Sequence, residues 1–199
     1  LRLCQGFLRP NTGSMEIDGQ NFRYLSLDNY RSQNTLIDGK PVFFGATIEE
    51  NLRKVQPGIS EREFQEVLEI SGLQKVLDQL PEGISTEVNQ FGMPLSQGDR
   101  VTFALARGLM SGPRILLIDE ALAHLDKSTQ ISFFENFSKI SELKTVIMAT
   151  HDLRSTAQFE QIIVLEKGVV VGHGTHDELL KTCALYQDLW AMEKKLTGT

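Results

Sequence analysis

Ile115, Leu116, Leu117 and Ile118 run without a polar break into Asp119 and Glu120. Successive side chains of a strand point to opposite faces, so this run makes a strand that is hydrophobic on both sides. Strands of that kind sit in the middle of parallel sheets, covered by helices on both faces. Thr145-Val146-Ile147-Met148-Ala149 reads as a second buried strand.

Between and around these strands the hydrophobic period changes to that of helices. Ser60 and Glu63 make a capping box, after which Phe64, Val67 and Leu68 share one helical face. Gly72 punctuates, and Leu73, Val76, Leu77 and Leu80 continue the spacing, giving a small helical module over about 50–80. A further helix starts at Ser96, which fits a capping box with Asp99, and runs to about Met110, with Pro113 as its stop. Ile131, Phe134 and Phe137 mark the next helix, Thr175 and Glu178 cap another, and a final one is predicted over 184–195. Short strands are expected at 13–19, closed by an Asp18-Gly19 turn, and around Leu36-Ile37; Val42-Phe43-Phe44 is a further short apolar stretch. Gln161 to Leu165 with Val169 to Val171 reads as a hairpin around Lys167-Gly168. Alternating strands and helices, with no internal repeat, imply an α/β fold with a mainly parallel sheet. Leu1 to Phe7 reads like the middle of an apolar helix with no cap before it and no initiator Met, as expected of part of a longer polypeptide.

The 199 residues suffice for one domain, or one domain with an appended subdomain, at about 150 residues per domain. A net charge of −6 argues against a dedicated nucleic-acid binder, which shows a basic face. Cys4 and Cys183 fit neither a metal-ligand spacing nor a disulfide framework, so a reducing compartment is expected. No apolar run approaches the roughly 18–20 residues of a membrane span, and no signal-peptide pattern opens the chain.

The chemistry is expected at Asp119-Glu120. A buried strand ending in two carboxylates can hold Mg²⁺ with the first and polarise a water with the second. Ligands of such folds bind beyond the carboxyl ends of the strands. By itself the pair is equally well a strand entering a polar turn. Its companions are Leu95-Ser96-Gln97-Gly98-Asp99-Arg100 upstream, Leu125-Asp126 downstream, and Thr150-His151-Asp152 after the second strand. With these, the sequence resembles the ATP-binding-cassette (ABC) ATPases, and within them the nucleotide-binding domains of exporter-type transporters. The likeness covers nearly the whole chain in order. It includes Phe44-Gly45-Ala46-Thr47-Ile48-Glu49-Glu50-Asn51, Leu80-Pro81-Glu82-Gly83 with Thr86-Glu87-Val88, and Gly174-Thr175-His176-Asp177-Glu178-Leu179-Leu180.

The resemblance implies a P-loop NTPase-like sheet flanked by helices, with residues 1–199 forming a partial ABC ATPase domain. It also implies an inserted helical signature subdomain over about 50–110. Asp119 would hold Mg²⁺ through water, and Glu120 would orient or activate the attacking water. His151 would contact the γ-phosphate of ATP as the switch histidine. Ser96 and Gly98 would present a helix N-terminus to the γ-phosphate bound by the opposite subunit, in keeping with the anion affinity of such termini. Asp126 would belong to the D-loop across the dimer. Implied partners are a second nucleotide-binding domain, identical or not, and the transmembrane domain of an exporter, at the cytoplasmic face of a membrane; nucleic acid is not among them.

Four departures accompany the likeness. No G-x-x-x-x-G-K-[ST] loop occurs, and Leu1-Arg2-Leu3 resembles the helix that follows it, so the N-terminal strands and phosphate loop are expected to be missing. Gly39 stands where the family has its Q-loop glutamine. Gln97 and Asp99 replace the signature's first glycine and its glutamine, adding bulk and negative charge where phosphate must approach. Ala121-Leu122-Ala123-His124 replaces the usual approach to the D-loop.

The leading expectation is therefore the C-terminal part of an ATP-binding domain that couples ATP hydrolysis to export. The alternative is a catalytically degenerate domain that regulates or supports a partner subunit. A soluble ABC protein acting on DNA or ribosomes is disfavoured by the absence of a heptad insertion and a basic patch. The chain alone, lacking the phosphate loop, is expected to be inactive.

Overall fold

A computed structural model describes residues 1–141 and 144–197, with side chains left aside at 137–141 and 196–197. The contacts divide the chain into two compact units, Leu1–Ala149 and Thr150–Thr199.

The first unit begins with a correction. Residues 1–7 form one helical turn rather than the middle of a helix. Gly6 takes φ +70°, the Phe7 amide returns to the Arg2 carbonyl, and the Gly6 amide returns to that of Leu3. That is the closing geometry of a helix end, which a glycine permits and a run of apolar letters hides. β1 (Glu16–Ile17) and β2 (Gln20–Asn21) then pair across Asp18-Gly19, both at positive φ as a tight hairpin turn demands.

α1 (Leu27–Ser32) leads into β3 (Asn34–Ile37), and β4 (Ala46–Thr47) into α2 (Ile48–Arg53), capped by a Thr47–Glu50 box. α3 (Glu61–Ser71) starts on the expected Ser60–Glu63 box, and α4 (Leu73–Leu77) follows directly after Gly72. β5 (Glu87–Val88) pairs antiparallel with β4. α5 (Gln97–Met110) starts at the N-cap Ser96, as its sequence requires. β6 (Ile115–Asp119), α6 (Lys127–Ser141) and β7 (Thr145–Ala149) complete the unit. Within α6 the buried aromatic is Phe133, whereas Ile131 is exposed; Phe137 lies outside the described side chains. The reason is tertiary: Lys75 donates to Ser132 and Thr129 lies against Gly72, so that face of α6 meets the α3–α4 corner.

β3, β6 and β7 form a parallel sheet in the order β3-β6-β7. β6 is central, and Leu116, Leu117 and Ile118 are fully buried, as their uninterrupted hydrophobicity dictates. α5 covers β3 closely because Gly108 has no side chain: a Cβ there would lie 2.8 Å from Ile37 Cδ1. The main core joins Phe43, Ile48, Leu52, Phe64, Leu68 and Leu73 to Leu95, Phe103 and Ala106 of the α5 region. Asn51, fully buried, is satisfied by the carbonyls of Phe44 and Thr47 and by the Phe44 amide, which fixes the loop before α2.

The second unit opens with a 3-10 helix, Leu153–Gln158, followed by the predicted hairpin of β8 (Ile162–Glu166) and β9 (Val169–Gly174). α7 (His176–Thr182) carries the expected Thr175–Glu178 box, and α8 (Ala184–Thr197) ends the chain's described part. Leu153, Val164, Leu179, Cys183 and Tyr186 form its core. No helix among the described residues is long and apolar enough to cross a membrane.

Candidate functional site

Asp119 closes β6 at the carboxyl end of the parallel sheet, half-buried and in register with Ala149 of β7. Glu120 follows, exposed, with φ +51° and ψ 9°, and its amide donates to the Ala149 carbonyl at 3.0 Å. A left-handed conformation in a residue other than glycine is costly and persists where the surroundings impose it, typically at functional sites. It turns the chain off the strand into a 3-10 turn, Ala121–His124, anchored by buried Ala121 and Leu122.

Asp126 is committed to local structure. Its carboxylate accepts from the Ser128 and Thr129 amides and from both of their hydroxyls. Those hydroxyl and amide donors hold its carboxyl well below the usual aspartate range. The residue thereby fixes the start of α6, and Gln130 braces the same loop by donating to the Leu122 carbonyl at 2.7 Å.

The start of α5 carries a reciprocal box. The Asp99 amide donates to Ser96 Oγ at 3.2 Å, and the Ser96 amide to Asp99 Oδ2 at 3.0 Å. The remaining first-turn donors are the amides of Gln97 and Gly98. A Cβ on Gly98 would lie 3.5 Å from the His124 carbonyl, and Gln97 Nε2 stands 3.5 Å from His124 Nδ1. Gly39, at φ +72°, packs against the same turn: its Cβ position lies 3.6 Å from His124 Cδ2, Ala121 Cα and Val101 Cγ2. Gly39, Gln97, Lys40 and Arg100 border one cavity of about 340 Å³.

The structure thus brings Gly98, next but one to the N-cap Ser96, against the turn that follows Glu120, in the unit that also holds Asp119 and Asp126. His151 belongs to the other unit. It is exposed and precedes Asp152, which caps the Leu153–Gln158 helix. Arg154 hydrogen bonds hold the Asp152 carboxyl below its ordinary range. Neither the Gln97–His124 contact nor the conformation of Glu120 is legible from local sequence pattern. The pattern of small residues and His at 121–124 was the one available hint.

Among the described residues no three His, Cys, Asp or Glu side chains group to hold a metal by themselves. The lone Asp119 carboxylate at a strand end fits a hard cation that keeps its waters and takes other ligands from phosphate, as Mg²⁺ does. It does not suit a cation needing a complete protein cage.

Residues 1–123 match the protein family described as ABC transporter. The chain is 33% identical over 189 residues to ABC transporter B family member 3 of Dictyostelium discoideum, covering 95% of this chain and 13% of that protein. It is 31% identical over 185 residues to a multidrug resistance ABC transporter ATP-binding and permease protein of Lactococcus lactis, covering 92% and 31%. Its fold superposes with a TM-score of 0.90 on a bacterial Atm1-family ABC exporter solved with ATP bound, at 31% identity, covering 96% of this chain and 34% of that one. The chain therefore spans less than a third of the length of these two relatives.

Proposed function

Because this chain belongs to the ABC transporter family, we propose that it is the C-terminal part of an ATP-binding domain that drives export across a membrane. The carrying observation is the likeness to an ATP-bound exporter over almost all of the chain, with Asp119-Glu120 at the carboxyl end of the central strand.

The reaction is ATP + H₂O → ADP + Pi. Asp119 would hold Mg²⁺, and that ion would neutralise charge on the phosphates. Glu120, aimed off the strand end by its left-handed backbone, orients the attacking water and takes its proton. His151 donates to the γ-phosphate. Ser96 and Gly98 present the first turn of α5 to a γ-phosphate held by the opposite domain, where backbone amides and the helix dipole favour an anion. Asp126 shapes the D-loop that faces that domain. The phosphate loop comes from outside these residues, which contain no G-x-x-x-x-G-K-[ST].

Residues 1–199 form one partial ABC ATPase domain on this reading, with 50–110 as its helical signature subdomain. Its partners are a second nucleotide-binding domain, identical or not, and an exporter's transmembrane domain. Its place is the cytoplasmic face of the membrane.

The test is Glu120→Gln in the whole protein, reconstituted in lipid. Phosphate release should fall by about 100-fold or more while ATP binding persists. Undiminished release from the variant would sink the proposal.

A further inference from the structure

In the second unit, buried hydroxyls form a chain whose direction can be worked out. Thr156 Oγ1 donates to the Leu153 carbonyl at 2.6 Å and lies 2.7 Å from the Tyr186 hydroxyl. Tyr186 is also 2.7 Å from His176 Nδ1. A hydroxyl has a single proton to give. Thr156 spends its proton on Leu153, so Tyr186 must donate to Thr156, and His176 must donate to Tyr186 through Nδ1–H. The relay runs His176, Tyr186, Thr156, Leu153, from α7 through α8 into the first residue of the 3-10 helix. Trp190 stacks edge-on against the His176 ring at 4.7 Å and holds it in place.

A second tether runs parallel. Arg154, one residue further along the same 3-10 helix, bonds both oxygens of Asp152 at 2.9 Å and reaches Glu193 of α8 at 3.0 Å. Asp152 in turn takes the Arg154 amide, and its own amide donates to Thr150 Oγ1. Thr150 and Asp152 flank His151. The segment that carries His151 is therefore held on its C-terminal side by α8 at two points, one buried and one at the surface. Tyr186 is 1% exposed and Thr156 7%, so the buried tether excludes competing water.

We propose that Tyr186 is a positioning residue for His151, acting through Thr156 and the Leu153 carbonyl, with Arg154–Glu193 as its surface counterpart. The proposal rests on the reading of His151 as the group that meets the γ-phosphate. Leu153 is two residues from His151, a reach of about 7 Å of extended chain, so a shift of the 3-10 helix is passed on to the imidazole. Misplacement by even an ångström is costly for groups that act on a reacting phosphate.

The experiment uses the whole protein in lipid nanodiscs, with radiolabelled ATP so that low rates are readable. Tyr186→Phe keeps the ring and its packing and removes only the hydroxyl. It removes the hydrogen bonds to both Thr156 and His176, and the loss of the one to Thr156 should lower kcat about fivefold, with KM for ATP within about twofold. Glu193→Gln, which leaves the core untouched, should show the same pattern at about twofold. In a His151→Ala background, Tyr186→Phe should change the residual rate by less than about 1.5-fold, because the group it positions is gone. Equal slowing in both backgrounds would mean that the hydroxyl serves the fold alone, and the proposal falls. It falls also if Tyr186→Phe leaves kcat unchanged. A His151→Ala protein that turns over at the parental rate would refute the reading of His151 and take this inference with it.

Discussion

Asp99 separates two effects that usually travel together, because its charge helps the helix it begins and opposes the ligand that helix is proposed to meet. It is the third residue of α5, its Oδ2 accepts the Ser96 amide at 3.0 Å, and its own amide donates to Ser96 Oγ at 3.2 Å. A carboxylate in a first turn contributes about 0.5 kcal/mol through the helix dipole, and a side-chain cap about 1 kcal/mol. Asp99→Asn keeps an oxygen for the Ser96 amide and loses only the charge, about 0.5 kcal/mol; Asp99→Ala loses both, about 1.5 kcal/mol. Ser96→Ala removes the opposite bond of the box, about 1 kcal/mol. Amide hydrogen exchange on the whole protein reads these as local opening of the first turn: roughly twofold, twelvefold and fivefold faster exchange in that order. Nucleotide affinity should move the other way for Asp99→Asn. Removing one negative charge beside the Gln97 and Gly98 amides should tighten ATP binding by about fivefold at low salt, and by less as salt screens the charge. The reasoning fails if Asp99→Asn frays the helix as much as Asp99→Ala, or if it weakens ATP binding.

Two further outcomes are specific. Gly108→Ala adds helix propensity worth about 1 kcal/mol, but overpacking of a filled core costs about 1–3 kcal/mol. The new Cβ would fall 2.8 Å from Ile37 Cδ1 and 3.4 Å from Thr35 Cγ2, and Ile37 is 2% exposed, so the clash outweighs the gain and the thermal midpoint should drop. A raised midpoint would show that β3 yields more easily than its burial indicates. Asp126, with its carboxyl held below the ordinary range by Ser128 and Thr129, should add stability at neutral pH. That contribution is complete above the ordinary aspartate pKa of about 3.9 and disappears as pH falls through the lowered folded value. A carboxyl carbon NMR titration should place its midpoint below that of exposed aspartates, and Ser128→Ala with Thr129→Val should bring it back up.

What the sequence made legible was what neighbours in the chain decide. The Ser60–Glu63, Ser96–Asp99 and Thr175–Glu178 boxes each join residues three apart, and all three formed. Asp18-Gly19 and Lys167-Gly168 turned the chain as their backbone freedom permits. β6 was legible because nothing but burial explains its composition. α1 and α2, at six residues each, are too short to show a helical period, although Thr47 and Glu50 carry the same cap signature. The phase of α6 depended on what it packs against, so Phe133 took the buried position. The pair β4–β5 joins two-residue strands far apart in the chain, which no local pattern records. Of the candidate site, Asp119, Glu120 and the α5 cap could be read directly. The left-handed turn of Glu120 accompanies a hydrogen bond to Ala149 of another strand, and Tyr186 meets Thr156 only after α8 has docked.

The departures at 39, 97 and 124, scattered in the sequence, occupy one surface of the first unit. β3 and β6 are parallel and in register from Asn34 with Ile115 to Ile37 with Ile118, so the loops leaving their carboxyl ends emerge side by side. Gly39 lies in the first loop and His124 in the second, and the α5 cap carrying Gln97 rests against that second loop. A side chain at 39 would find ordinary contact distances of 3.6 Å, so space does not exclude one; the φ of +72° would cost it about 1–2 kcal/mol. A glutamine there would carry that backbone cost while packing beside Ala121 and His124. Gln97, at the turn whose amides are the natural anion donors, leans on His124. Gly39 and Gln97 both meet His124, so on the proposed reading the three form one altered frame beside the Asp119-Glu120 pair rather than separate losses. The chemistry proposed for this site would then depend on how these loops pack on one another, as much as on the carboxylates they surround.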